Sequence, residues 1–193
     1  MSVQLNTSRR WNQLTTADRI AAVFDRCFAA PDCFNTRLCG GAAEPFYRPA
    51  GAGCSYHRIE FTRDYPASAR HEAAHWCVAG ARRRQLPDYG YWYQPDGRSG
   101  EQQALFEQVE VKPQALEWIF ARACGAGFRA SADNLASGLG PSRSFRQAIW
   151  HQVQSYCRQG VNGRAEQFAY ALARAFHRPD PLQGGQYRLT ELL

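Results

Sequence analysis

Lysine is nearly missing from this chain: of 23 basic residues only Lys112 is a lysine, the rest being arginines. A compact ammonium on a flexible stem and a planar guanidinium fork are not equivalent in a confined site. The surviving lysine is therefore a candidate functional position, with chance survival as the alternative. Long apolar runs are also absent. No stretch approaches the roughly 18 uninterrupted apolar residues of a membrane helix, and residues 2–16 are polar where a signal peptide would be apolar. A cytoplasmic protein is expected. Although there are seven cysteines, no two form a Cys-x-x-Cys pair, which argues against both a disulfide framework and a zinc ribbon. They read as buried reduced thiols, Cys77 included. Repeats, low-complexity tracts and long linkers are missing too, so residues 1–193 are expected to form a single catalytic domain, with 1–14 as a flexible arm.

The composition, 45% hydrophobic and 13% aromatic over 193 residues, suffices for one ample core. A formal net charge of +6 predicts attraction to an acidic partner. The one dense basic run, Arg82-Arg83-Arg84, falls at the end of a predicted helix, where the helix dipole favours cations. No direct nucleic-acid or membrane partner is expected, and the protein is expected to be a monomer.

Apolar spacing predicts a helix over 16–29, a turn-rich stretch over 40–53, a short strand over 56–61 and a second helix over 67–84. Residues 87–100 are aromatic and turn-rich, a hairpin or an ordered loop. Helical spacing resumes over 101–124, where Pro113 is expected to kink the helix or start a new one, pushing Val111 and Lys112 towards extended geometry. Two further helices are expected over 144–158 and 165–177. The fold class is thus α+β, mainly helical with a few short strands.

The second helix carries His71-Glu72-Ala73-Ala74-His75. Histidines four apart share a helical face and can place two ring nitrogens on one ion at about 2.1 Å. Glu72, one residue round, would lie beside the ion's open side, able to hold a proton or a water. This is zincin-like local geometry. A third ligand must come from downstream, where the carboxylates are Asp88, Asp96, Glu101, Glu107, Glu110, Glu117 and Asp133. Glu107 and Glu110 are three apart and face the same way. Glu110, two residues before the lone lysine, is the preferred ligand and Glu107 a neighbour of the metal or a substrate contact; the pair could be reversed, and Glu72 itself could ligate. Two histidines and one carboxylate describe a zinc hydrolase with Glu72 as general base, and equally a non-haem iron site that binds oxygen. Spacing alone leaves both open.

Four further runs carry a resemblance. Phe34-Asn35-Thr36-Arg37-Leu38, then Ala67-Ser68-Ala69 leading into the histidine motif with Trp76-Cys77, then Tyr89-Gly90-Tyr91-Trp92-Tyr93 with Pro95-Asp96-Gly97-Arg98, and Val109-Glu110-Val111-Lys112-Pro113-Gln114-Ala115-Leu116 resemble the bacterial elongation factor P hydroxylases. The resemblance covers roughly 27–134 and is looser at both ends; His57 stands where members of the family tend to carry asparagine. It implies an oxygen-dependent, iron(II)-containing monooxygenase, one that could carry zinc as purified. The reaction implied is hydroxylation of the β-lysyl-lysine modification of elongation factor P, an acidic protein. It also implies a two-histidine, one-carboxylate site mapping onto His71, His75 and Glu110. An oxidant able to attack a methylene is unselective, so a cationic side chain would have to be held in register. Trp76, Tyr89, Tyr91 and Trp92 could form a cation–π wall, with Glu72 or Glu107 pairing an amine and Lys112 holding a ligand carboxylate. The alternative for the aromatics is core packing.

Overall fold

The computed structural model describes residues 11–90, 98–132 and 140–193. Its first long element is α1 (Thr16–Phe28). A capping box starts it: the Thr15 side chain accepts from the Asp18 N–H while Asp18 reaches back to the Thr15 N–H. This satisfies two amides that the helix start leaves unpaired. Ala17, Ile20, Val23, Phe24 and Phe28 form its buried stripe.

A three-stranded sheet follows, made of β1 (Thr36–Ala42), β2 (Phe46–Arg48) and β3 (His57–Thr62) in the order β1-β3-β2. β3 pairs parallel with β1 and antiparallel with β2. Only β3 is expected from the pattern of the sequence. β1 is hidden because Gly40-Gly41 reads as a turn, yet a Cβ at Gly40 would lie 2.8 Å from the Phe61 ring and 2.9 Å from the Arg63 carbonyl. Glycine there lets the strands close on each other, just where the register shifts between Cys39 and Ala42.

The histidine-bearing helix is α2 (Pro66–Val78), with Pro66 at its first turn. It stops well short of the expected 84. Asn162 and Arg164 donate to the Cys77 carbonyl, and Arg164 and Arg84 to that of Ala79, so side chains take the acceptors that a further turn would have used. The Arg82–Arg84 run therefore lies beyond the helix, with Arg83 and Arg84 in a short 3₁₀ turn.

α3 (Gly100–Cys124) is the central helix. It starts on a Ser99 capping box and ends at Gly125, whose φ of 69° is left-handed. The break expected at Pro113 does not occur: the helix runs through it. Proline denies an N–H to the Val109 carbonyl, but Val109 lies on an exposed part of the helix, where water can replace the partner. Packing then outweighs the local preference, since 114–121 are buried on every side. α4 (Arg143–Gln159) and α5 (Gly163–Ala175), capped by Ser142 and Asn162, pack against α3. One core joins all five helices to the sheet. The fold is thus mainly helical with one small sheet. All seven cysteines are free thiols, and burial pushes the Cys77 thiol up to about 12, which suits packing rather than redox chemistry.

Candidate metal centre

α2 lies against α3, and the contact brings the two histidines to the middle of the second helix. His71 Nε2 and His75 Nε2 are 3.0 Å apart. Glu110 sits between them, with Oε1 3.3 Å from His75 Nε2 and Oε2 3.6 Å from His71 Nε2. Among the described residues these three donors form the only such group, their ligand atoms within 4.8 Å of one another.

Glu110 belongs to a polar stripe on α3 with Gln114 and Glu117, spaced four and then three residues apart, as one helical face requires. All three are buried. The Gln114 amide donates to Glu110 Oε2 at 3.3 Å and to the Ser131 carbonyl at 2.8 Å, and its carbonyl oxygen accepts from the Ser131 N–H at 3.0 Å. Glu117 Oε2 stands 2.8 Å from His71 Nδ1. A carboxylate only accepts, so it draws the ring proton of a neutral His71 to Nδ1 and leaves the Nε2 lone pair facing Glu110 and His75. From the sequence Glu117 is one of the downstream carboxylates, without a role of its own; its two-turn spacing from Glu110 is the signal that marks it.

The electrostatics follow from burial and pairing. Burial would raise the Glu110 carboxyl, but His75, then His71 and the Gln114 amide, outweigh it and bring it down to about 2. Burial likewise opposes a charge on His71, yet Glu117, with Glu110 and Glu72, holds its proton affinity well above the usual histidine range. Glu72 is raised, chiefly by burial, against the pull of both histidines.

The residues fit a metal ion. Two ligands, each about 2.1 Å from an ion at angles of about 90° to 110°, stand about 3.0 to 3.4 Å apart, and the three separations here run from 3.0 to 3.6 Å. Two imidazole nitrogens at that distance, with a deprotonated carboxylate, call for a shared proton or cation. Metal binding would supply the cation.

Beside the centre the backbone turns left-handed at consecutive residues, Asp88 (φ 48°) and Tyr89 (φ 58°). For a residue with a bulky side chain that costs about 1–2 kcal/mol. Tertiary contacts hold the turn: Asp88 Oδ1 accepts from the Tyr47 N–H at 3.0 Å, and the Tyr89 ring stacks on Tyr47 with centroids 4.4 Å apart. The Tyr89 hydroxyl is buried without a hydrogen-bond partner among the described residues.

Several expected roles change. Trp76 is wholly buried among Phe24, Phe28 and Phe34, with ring centroids 4.8 to 5.4 Å away, so it is core and not a cation–π wall. The Tyr89 side chain is 4% exposed, its ring covered by Tyr47 and its hydroxyl buried, so it too packs in the interior and forms no open cation–π wall. Glu107 accepts from the N–H and hydroxyl of Ser142 at 2.9 and 2.5 Å, which ties α3 to the start of α4. Lys112 is exposed and pairs with no carboxylate among the described residues; Gln114 does the holding expected of it. Tyr91 and Trp92 lie outside the described residues. His57 is structural: its Nδ1 accepts from the Ala50 N–H and lies 3.1 Å from the Tyr47 hydroxyl.

Comparison with known proteins bears on what this centre does. The profile of the elongation factor P hydroxylases matches residues 23–187, a longer span than the motif runs alone suggest. A curated relative from Haemophilus influenzae, an elongation factor P lysine hydroxylase, is 47% identical over 171 residues, covering 89% of this chain and 95% of the relative. The match spans both helices that carry the histidines and Glu110, and the chain belongs to the elongation factor P hydroxylase family.

Proposed function

We propose that this chain is a protein-modifying monooxygenase that hydroxylates a lysine side chain of elongation factor P, with iron(II) held by His71, His75 and Glu110. The observation that carries the reading is the convergence of those three side chains, from two helices, on one point, in a chain of this family. Zinc hydrolysis would use a similar ligand set; the family match favours hydroxylation. The substrate residue we propose is the β-lysyl-lysine modification, and a cytoplasmic enzyme with a net charge of +6 would be steered towards an acidic factor.

Iron would supply the activation of dioxygen. One oxygen atom enters the C–H bond and the other leaves as water, which consumes two protons and two electrons from a reductant. The chain's residues do the rest. Glu117 fixes the His71 tautomer and the Gln114 amide orients Glu110, so the ligands are set before the metal arrives. Glu72, next to His71 on α2, is the carboxyl we propose to exchange protons with the reacting groups.

The test is the intact mass of the modified factor after incubation with iron-loaded protein and a reductant. A gain of one oxygen atom in air and none under argon is expected. Peptide cleavage that needs no oxygen would overturn the reading.

A further inference from the structure

We propose that the outer face of the sheet is the surface on which the acidic protein substrate docks, through a row of arginines that crosses all three strands. This deepens the hydroxylase reading and rests on it.

Strand register makes the row. Arg37 on β1 stands opposite Arg58 on β3, and Arg58 stands opposite Arg48 on β2. Residues opposite one another project to the same side of a sheet. The neighbouring row, Leu38, Ile59 and Tyr47, is buried in the core, so strand alternation turns the arginines outwards. Arg37 is exposed, and 50% of the Arg48 side chain and 36% of the Arg58 side chain reach solvent. With strands about 4.8 Å apart, the row spans about 10 Å, close to one screening length at physiological salt. Like charges set side by side work against the sheet, a cost that a docking role explains.

Glu60 is the only carboxylate in the three strands, and it shares this face. Arg48 Nε donates to both of its oxygens, at 3.1 and 3.0 Å. Arg58 Nε is left 3.7 Å from Glu60 Oε1, too far for a hydrogen bond, and has no other partner among the described residues. Arg37 makes no hydrogen bond or ion pair among the described residues. Its guanidinium lies over the Tyr56 ring at 4.9 Å, and Asp25, the carboxylate it influences, accepts from the Leu38 N–H at 3.0 Å.

The row therefore carries more guanidinium than its own carboxylate satisfies. Partner carboxylates fit, because each takes two parallel bonds from a guanidinium fork. Nucleic acid fits less well: the rings that bases would stack on, Tyr56 and Phe46, are already covered by Arg37 and by Arg48 at 4.6 Å. The row ends on β2, where Asp88, in the turn beside the metal centre, accepts from the Tyr47 N–H. An interface of about 800 Å² per side is about 30 Å across, so a protein seated on the row extends past β2 towards that turn. Binding away from the metal lets the enzyme recognise the folded factor as well as its lysine.

The experiment loads the full chain with zinc, which prevents turnover, and titrates it calorimetrically with elongation factor P carrying β-lysyl-lysine. The sheet variant is Arg37→Thr/Arg48→Thr/Arg58→Thr, since threonine suits a strand. The control, Arg143→Gln/Arg158→Gln/Arg174→Gln, removes the same charge from exposed helical positions. At about threefold per exposed charge pair, the sheet variant should bind about thirtyfold more weakly at low salt, the gap closing as salt rises. The control should shift Kd by less than about twofold. A second arm uses wild-type protein and so decides the matter even if a variant folds poorly. Phenylglyoxal labels arginines, and peptide mass spectrometry should find Arg37 and Arg48 labelled several-fold more slowly once the factor is bound. Equal weakening in both variants would reduce the row to net charge and overturn the proposal, as would unaltered labelling of the sheet arginines. A sheet variant that loses affinity for transfer RNA while keeping its Kd for the factor would overturn it too. Failure of the iron form to oxygenate the factor would instead strike the function proposed above and leave the binding result standing.

Discussion

The two faces of α2 obey opposite rules. On one, Ala69, Ala73, Trp76 and Cys77 are wholly buried, and Trp76 packs against phenylalanines with the protein's own Arg164 and Arg84 over its ring at 4.9 and 5.7 Å, so the area buried here is mostly apolar. On the other, His71 and His75 face each other and a buried carboxylate. The first face stabilises the fold. The second keeps polar groups together at a cost, as functional sites do. Substitutions should therefore divide cleanly between those that unfold the protein and those that disarm it.

The largest effect is expected at the ligands. His71→Ala should lose metal on dialysis and drop activity by about a thousandfold or more, while its far-UV circular dichroism stays that of the parent; loss of the helical spectrum would break the division. Across the helix, Trp76→Ala should cost about 3–5 kcal/mol of stability in urea unfolding, and whatever stays folded should bind metal normally. Glu117→Gln sharpens the boundary, since among the described residues its carboxylate is hydrogen-bonded to His71 alone. Metal affinity, measured by competition with a chelator, should fall about 10- to 100-fold, while the helical circular dichroism at 25 °C stays that of the parent.

Acidity separates the faces as well. In the metal-free protein His71 binds its proton more tightly than the usual 6.5 because Glu117 and Glu110 outweigh its burial. The stability this contributes is complete below 6.5 and lost as pH rises through the raised value. A metal needs the unprotonated ring, so the rise in melting temperature on adding metal should grow as pH increases from 6.5 upwards. A constant rise would mean that the metal does not displace that proton. The smallest effect is expected at Lys112: replacing this exposed residue by alanine should change stability by less than about 0.5 kcal/mol and activity by less than about twofold.

Much of the centre was legible because helical spacing is geometry. His71 and His75 share a face by counting, and Glu110 stood out by its place beside the lone lysine. The lysine itself misled, since rarity says nothing about direction and Lys112 points outward. Glu107, three residues before Glu110, faces α4 instead of the metal, because one step in a helix of 3.6 residues per turn decides which neighbour is met. Aromatic richness could not say whether Trp76 lines a cavity or fills a core; only the packing of α1 against α2 does. β1 was hidden by glycines that serve a close strand approach, and Pro113 sits inside a helix because buried neighbours outweigh its missing N–H. The turn at Asp88 and Tyr89 was beyond the sequence altogether, as no local rule predicts left-handed backbone at tyrosine.

The account stands or falls on dioxygen reaching a carbon of the substrate through this centre. Iron-loaded protein, given a reductant, the modified factor and heavy-isotope dioxygen in ordinary water, should yield a factor carrying one heavy oxygen atom on the modified lysine, with none in the His71→Ala reaction. Product carrying oxygen from water, or the same product from His71→Ala, would contradict it.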